Sequence, residues 1–476
     1  MNRYIINSTR YFLITILFLS CIKEVDLSKR DEEKKQEEQE ETVYIYPFKK
    51  ESHDITAELT ISTDGKIDLN EIEVEIPPLK YNKSWLFLLT QDDCSQTAYC
   101  NTWAAIHGKP LSSKYYYDAA HLKAGDLPPD NYNLGKTLGS TDGNGNEVRF
   151  SFTTTLAPEW EWMNAKPSVQ VGFTKNYYRF YMKSGLIWNN VIEMVNYGVG
   201  IAFHDVKTSM LHNRDSIKVH YSLSQKIITD KLSGRTCKVL TEPDGNKTYV
   251  EAALAYDPIL IMTAQSEASA LYPFKTTNDL YKQLLNRFFY TTEQAKEYIR
   301  SELQKSKEER AAIQIGVHKT DPAWAQFLLW LNNTYGKDGD DSVWSPSLEE
   351  YYEYNYYRIH SVIRKQLIGN TLKLTVTLPS KAHFYYPSIT VNLGHLQKQH
   401  IISIVSGNTV SGLSYADHNN GLMLNIDCRR FLPDHATHYV RKYESDKTVS
   451  NRNDALYFIN QLKDSDKKNE LLKRIK

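Results

Sequence analysis

Cysteine is scarce in this chain of 476 residues. There are five, and no two are spaced Cys-x-x-Cys. A zinc site built on paired cysteines is therefore not indicated. Neither sign of charge predominates, since Lys plus Arg and Asp plus Glu both number 57. That balance supplies no global field for nucleic acid, and none is expected as a partner. No apolar run reaches the ~20 residues that a membrane-spanning helix needs. No segment recurs at a fixed period, which argues against a solenoid.

What the chain does have is length, tyrosine and a patterned N-terminus. Its length predicts two or three domains, with a middle region able to bury a sizeable core. Tyr numbers 33 and Trp 8. Flat aromatic faces suit sugar rings, although in a chain of this size most aromatics serve the core or its rim.

At the N-terminus, Arg3 and Arg10 precede an apolar run over residues 11–19, then Ser20 and Cys21. A run this short reads as the core of a signal peptide. The small residue before Cys21 forms a lipobox-like end, with Phe18 at the position where Leu is usual. Cys21 is then the lipidation site, and residues 1–21 are a lipoprotein signal peptide. Residues 22–41 are mostly charged or polar and include Asp31, Glu32, Glu33, Lys34 and Lys35. They cannot bury much apolar surface, which predicts a disordered tether. The expected location is the cell envelope, lipid-anchored at the outer membrane and open to the cell surface, with a membrane as one partner. In an oxidising compartment, Cys94 and Cys100 stand close enough in sequence to bridge across a turn.

The remaining chain divides by period. Residues 42–46, 55–62 and 72–76 alternate apolar and polar, with a turn at Asp64 and Gly65, predicting a β extension over 42–80. Continuous apolar runs follow at 85–89, 199–203, 238–240, 259–262 and 313–317, the mark of parallel strands buried on both faces. Amphipathic helices at 188–197 and 324–335 end at Gly198 and Gly336. Strand–helix alternation predicts an α/β barrel or open sheet. A long insertion at about residues 108–165 contains Asp142, Gly143, Asn144, Gly145, Asn146 and Glu147. It lacks the full twelve-residue calcium-loop spacing and reads as a tight turn. Period two returns at 371–378, 388–392, 400–405 and 421–426, predicting an antiparallel β-sandwich over 366–445. Residues 446–476 read as a C-terminal helix.

Four of the apolar runs end in, or close to, ionisable residues. Asp92 and Asp93 follow the first, His204 and Asp205 the second, Glu242 and Asp244 the third, and His318 the last. In a parallel barrel the active site collects at these strand ends. Singly, each residue is equally a loop charge, Asp92 and Asp93 suit a helix N-cap, and His318 suits a core. Together they predict one site.

Their order resembles the polysaccharide deacetylase (NodB-like) family over residues 80–345. Thr90-Gln91-Asp92-Asp93-Cys94 is similar to its first motif, Gly198-Val199-Gly200-Ile201-Ala202-Phe203-His204 to the lead-in of its second, Glu242-Pro243-Asp244-Gly245-Asn246 to its third, and Ile315-Gly316-Val317-His318 to its last. The resemblance implies a distorted (β/α) barrel of NodB type over residues 81–350, with the β extension before it and the β-sandwich after it. It implies a catalytic base at Asp92, metal ligands at Asp93 and His204, and a general acid at His318. The family's second metal histidine is replaced by Thr208, and its base-orienting Arg is missing at or near Glu242. Asp205, Thr208, His212 and Glu242 are the remaining candidates to complete a site.

The implied chemistry is coherent. A divalent metal, zinc or similar, lowers the pKa of bound water and polarises an acyl oxygen. A carboxylate takes the water's proton, and an acid protonates the leaving group. Three functions fit: a metal-dependent deacetylase of an acetylated envelope or extracellular glycan, a glycan-binding lipoprotein on a weakened barrel, or a metal-dependent hydrolase of another substrate. Carbohydrate is the expected partner in the first two.

Overall fold

The computed structural model describes residues 45, 48, 53–171, 177–181, 185–207, 212–379 and 381–476. The signal peptide, Cys21, the tether and Thr208 lie outside the described residues.

Two strands open the described chain, β1 (Ile55–Thr63) and β2 (Val74–Glu75). Next comes β3 (Trp85–Gln91), every residue of which is buried. Its side chains alternate, as strand geometry requires. Trp85, Phe87 and Leu89 join one hydrophobic cluster, and Leu86 and Leu88 another. The Asp142 turn connects β4 (Gly139–Thr141) to β5 (Glu147–Arg149). There Asp142 Oδ1 accepts from the amides of Asn144 (2.9 Å) and Asn146 (3.0 Å), so the segment is the tight turn expected, not a calcium loop.

The other parallel strands are short: β6 (Thr153–Thr155), β7 (Gly200–Ala202), β8 (Val239–Thr241), β9 (Ile261–Ala264), β10 (Leu284–Asn286), β11 (Ile313–Val317) and β12 (Val343–Trp344). They pair in the orders β11-β3-β6-β7 and β10-β9-β8, and β12 also pairs with β3. Single parallel bridges, Phe203 with Leu240 and Phe288 with Ile315, link the two sheets. The sheet is thus curled, and compatible with the distorted barrel expected from the sequence.

Helices α1 (Trp188–Asn196), α2 (Arg214–Lys231), α3 (Lys247–Leu254), α4 (Thr292–Leu303), α5 (Pro322–Tyr335) and α6 (Leu348–His360) alternate with these strands. In α1, Trp188, Val191, Met194 and Val195 are buried, and Gly198 at φ 91° follows its end. In α5, Asp321 caps the first turn and Pro322 occupies a position where no amide donor is needed. Fully burying one such Val, Leu or Met contributes about 1.5–3 kcal/mol. Against α6 lies a set of fully buried charges. Arg235 and Lys238 both pair with Glu349, Lys238 also pairs with Glu353, and Glu353 Oε2 accepts from the amides of Tyr385 and Tyr386.

The antiparallel strands are β13 (Val362–Ile368), β14 (Thr371–Leu378), β15 (Ser388–Gly394), β16 (Ile401–Ser406), β17 (Gly412–His418) and β18 (Gly421–Asp427). They form two sheets, ordered β13-β14-β1-β16 and β17-β18-β15-β2. The N-terminal strands therefore do not pair with each other, as a self-contained hairpin would. The inward side chains Ala57, Leu59 and Ile61 of β1 share a core with Leu372, Leu374 and Val376 of β14. Residues 45–476 make one compact unit.

The single helix expected at the C-terminus is instead the end of a three-helix group: α7 (Leu432–Ser445), α8 (Val449–Asn460) and α9 (Asp466–Arg474). Thr448 and Ser465 break the run by capping α8 and α9. Asp454 of α8 anchors the group. Its carboxylate is fully buried and meets Lys109 Nζ (2.5 Å), Arg149 Nη1 (2.7 Å) and the Tyr197 hydroxyl (2.7 Å). Cys94, Cys100, Cys237 and Cys428 are free and buried. The Cys94–Cys100 bridge does not form, and the Cys100 thiol instead donates to the Gln96 carbonyl at 3.4 Å. Among the described residues no helix is long and apolar enough to cross a membrane.

Candidate functional site at the strand ends

The C-terminal ends of β3, β7, β8, β10 and β11 carry the ionisable residues. After Gln91 the Asp92 amide donates to the Val317 carbonyl at 2.8 Å, which keeps Asp92 in line with the sheet. Asp93 and Cys94 then take left-handed backbone, φ 60° and 47°. Such backbone is uncommon outside glycine, and at a strand end it aims successive side chains apart.

Asp92 turns inward. It is almost fully buried, and Arg287 Nη1 donates to its Oδ1 at 2.7 Å. The same guanidinium reaches Thr90 Oγ1 (3.1 Å) and, through Nη2, the Glu242 carbonyl (3.0 Å). One side chain thus ties β3, β8 and β10 together. Sequence reasoning missed it. The family's Arg was sought near Glu242, whereas the residue that orients Asp92 follows β10, a three-residue strand without a long apolar run.

Asp93 turns toward His204. Their closest atoms, Asp93 Oδ1 and His204 Nε2, are 3.6 Å apart. The other ring nitrogen, Nδ1, lies 2.9 Å from the Thr241 carbonyl. With Nδ1 as donor, the Nε2 lone pair faces Asp93 and the cleft. Burial disfavours the charged imidazole, but the Asp92 charge and the neighbouring Asp93 carboxylate outweigh it, so the His204 pKa lies above its ordinary value. The His204 imidazole in turn holds the Asp93 carboxyl below its ordinary value, against a smaller opposing effect of burial.

Asp93, Cys94, His204 and Asp205 line one cleft of about 260 Å³, together with Thr155, Trp160 and Trp162. Burial raises the Asp205 pKa, and its Oδ1 receives the Tyr249 hydroxyl at 3.5 Å. Burial pushes the Cys94 thiol up to about 12, which removes it as a nucleophile at neutral pH. His318 follows β11 and is exposed, outside the residues that line the cleft. Its ring rests on Phe289 at 4.8 Å, and Phe289 faces the Arg287 guanidinium at 5.0 Å. Gly316 makes room for this, since a Cβ there would sit 2.7 Å from the Phe289 ring.

Two candidates fall away from the cleft. Glu242 is buried, and Lys247 Nζ lies 2.8 Å from its Oε1, off the hydrogen-bonding direction. His212 is exposed and does not line the cleft. For a metal, Asp93 and His204 are well spaced. Two donors about 2.1 Å from a tetrahedral ion stand about 3.4 Å apart, close to the separation observed. Among the described residues, however, no group of three His, Cys, Asp or Glu side chains converges. A catalytic zinc takes three protein ligands, so the described donors complete only part of such a site.

A family model described as "Putative polysaccharide deacetylase" matches residues 57–476, including both antiparallel sheets and the C-terminal helices. No curated protein matches the chain.

Proposed function

The chain belongs to this polysaccharide deacetylase family, and from that premise we propose that it removes acetyl groups from an envelope or extracellular glycan on a barrel of NodB type. The observation that carries the proposal is Asp92 held by Arg287, beside Asp93, His204 and His318 at one end of the curled sheet. Only one oxygen of Asp92 is bound by Arg287. The other is left to accept a proton from an attacking water, which is the work of a general base. Arg287 fixes the direction of that oxygen through a charge-assisted bond. His318, exposed just after β11, is assigned here the proton that the departing sugar oxygen or nitrogen takes up. Trp160 and Trp162 offer flat faces to the sugar ring.

A divalent ion held by Asp93 and His204 would activate the water and polarise the acyl oxygen. The incomplete donor set favours a second reading, in which the same cleft binds an acetylated glycan without turning it over. Export and lipid attachment at Cys21 belong to this proposal, with the envelope as the place where the glycan is met.

Acetate release distinguishes the readings. Wild-type protein, supplied with Zn²⁺, Mn²⁺ or Co²⁺, is expected to free acetate from acetylated oligosaccharides, and Asp92→Asn to free none. Glycan binding with no acetate under any of these ions would establish the second reading in place of the first.

A further inference from the structure

A short described segment holds two tyrosines outward. Over residues 177–181, Tyr178 is 74 % exposed and Tyr181 55 % exposed. Tyr115 packs edge-on against Tyr181 at 4.9 Å, and Tyr177 lies 6.1 Å from Tyr115. Monomeric surfaces rarely group large aromatic faces in contact with water, and such groups mark binding sites.

This segment is anchored from beneath. Arg179, between the tyrosines, makes a two-pronged pair with Asp126: Nη2 to Oδ1 at 2.6 Å and Nε to Oδ2 at 2.9 Å. Both side chains are buried, and the Arg179 guanidinium lies 4.2 Å over the Phe180 ring. Phe180 is itself buried, and its carbonyl accepts from the Tyr116 amide at 2.9 Å. Burying a charge pair carries a desolvation cost that only good geometry offsets. Here that geometry fixes the backbone from which Tyr178 and Tyr181 project. Rings already held in place lose little freedom when a ligand settles on them.

Four positions beyond Tyr181, Gly185 lies at the cleft wall. Gly185 bridges Ser95, and the Leu186 amide donates to the Cys94 carbonyl at 2.8 Å. The Gly185 backbone lies against Trp162, since a Cβ there would come within 2.4 Å of the indole. Four residues of chain limit the distance from Tyr181 to Gly185 to at most ~14 Å. Trp160, 39 % exposed, stands on the same cleft.

We propose that Tyr115, Tyr178 and Tyr181 form a second sugar-binding platform, taking units of the glycan chain beyond the one bound at Asp93 and His204. This rests on the deacetylase reading above for its substrate class. A sugar ring has an apolar C–H face and a polar rim, and a tyrosine offers a ring and a hydroxyl to match. The platform would favour long chains over short ones.

The test compares wild type with the Tyr178→Ala/Tyr181→Ala double variant, on chitobiose, chitohexaose, acetylated xylohexaose and lysozyme-digested peptidoglycan. Binding is read by calorimetry, independently of turnover. The double variant is expected to bind the long glycans roughly tenfold more weakly, as loss of aromatic anchors does, with chitobiose affinity unchanged. Where acetate is released, KM for the long substrate should rise by the same factor and kcat should not. A Tyr178→Phe/Tyr181→Phe variant keeps both rings and should retain most of the affinity, which separates stacking from misfolding. Equal loss on short and long glycans, or wild-type binding to none of the panel, would overturn the platform. So would binding to phosphatidylethanolamine–phosphatidylglycerol vesicles in place of glycan. Long-chain binding without acetate release would leave the platform standing and count against the deacetylase reading alone.

Discussion

Arg287 and Asp92, 195 positions apart in the chain, meet at 2.7 Å with both side chains almost fully buried. The contact sets the direction of the carboxylate at the proposed centre.

Arg287→Met should therefore leave Asp92 without its orienting partner. Acetate release is expected to fall about hundredfold, the lower range of what a positioned base contributes. Arg287→Lys keeps a cation but loses the fork that also reaches Thr90 and the Glu242 carbonyl, so it should recover only part. Steady-state kinetics on one acetylated oligosaccharide, with circular dichroism to verify folding, checks this. A folded Arg287→Met protein at full rate would dismiss Arg287 as a positioning residue.

Asp454 bears on stability. Asp454→Ala leaves Lys109 a buried cation with the Ser450 hydroxyl and Arg149 with Glu147 as its remaining carboxylate, and removing one partner of such a set costs about 3–5 kcal/mol. Urea unfolding should show that loss, and Asp454→Asn, which retains a polar acceptor, a smaller one. A cost under ~1 kcal/mol would mean that water replaces the carboxylate.

Acid should loosen the same region. Burial lowers the His435 pKa to about 3 and the His438 pKa to about 4. His435 Nε2 bonds the Asn196 carbonyl at 2.8 Å. These groups are neutral when folded, while unfolded histidine takes up a proton near pH 6.5. Between about pH 6.5 and 4 the unfolded state binds more protons, so stability falls as pH falls. For His435 the loss by pH 5 is roughly 2 kcal/mol. Urea midpoints at pH 7 and pH 5 would measure it, and His435→Gln should flatten the difference. An unchanged slope in that variant would place the acid sensitivity elsewhere.

Cys21→Ala should release the protein from membranes into the soluble envelope fraction. The apolar run, Ser20 and the polar tether motivate this, and multiple acyl chains would make the wild-type attachment firm. Continued membrane partitioning of the variant on fractionation would rule out the lipid anchor.

Much of the architecture was legible because burial on both faces writes long apolar runs. β3 and β11 are such runs, and their ends located Asp92, Asp93 and His318. β6 is Thr-Thr-Thr and β10 spans three residues, so neither carries a period, and Arg287 was lost with β10. β13 and β17 were missed because most of their residues are at least partly exposed. Trp160, Trp162 and Tyr178 carried no signal, since an aromatic on a rim and one in a core read alike. Asp93 and His204 approach each other because each follows the end of a buried strand, a position that apolar runs mark. That Glu242 would face Lys247 depends on a turn at Asp244 and Gly245, both at positive φ, that local sequence fixes only once the sheet is in place.

The placement of β1 governs when this protein can fold. Ile55 pairs with Leu378 and Leu59 with Ser406, so both flanks of the strand wait for segments synthesised long after it. Closing so large a loop is slow, and until then β1 presents two open edges and the apolar row Ala57, Leu59 and Ile61. A nascent chain lacking β14 and β16 thus carries a strand open to pairing with other chains.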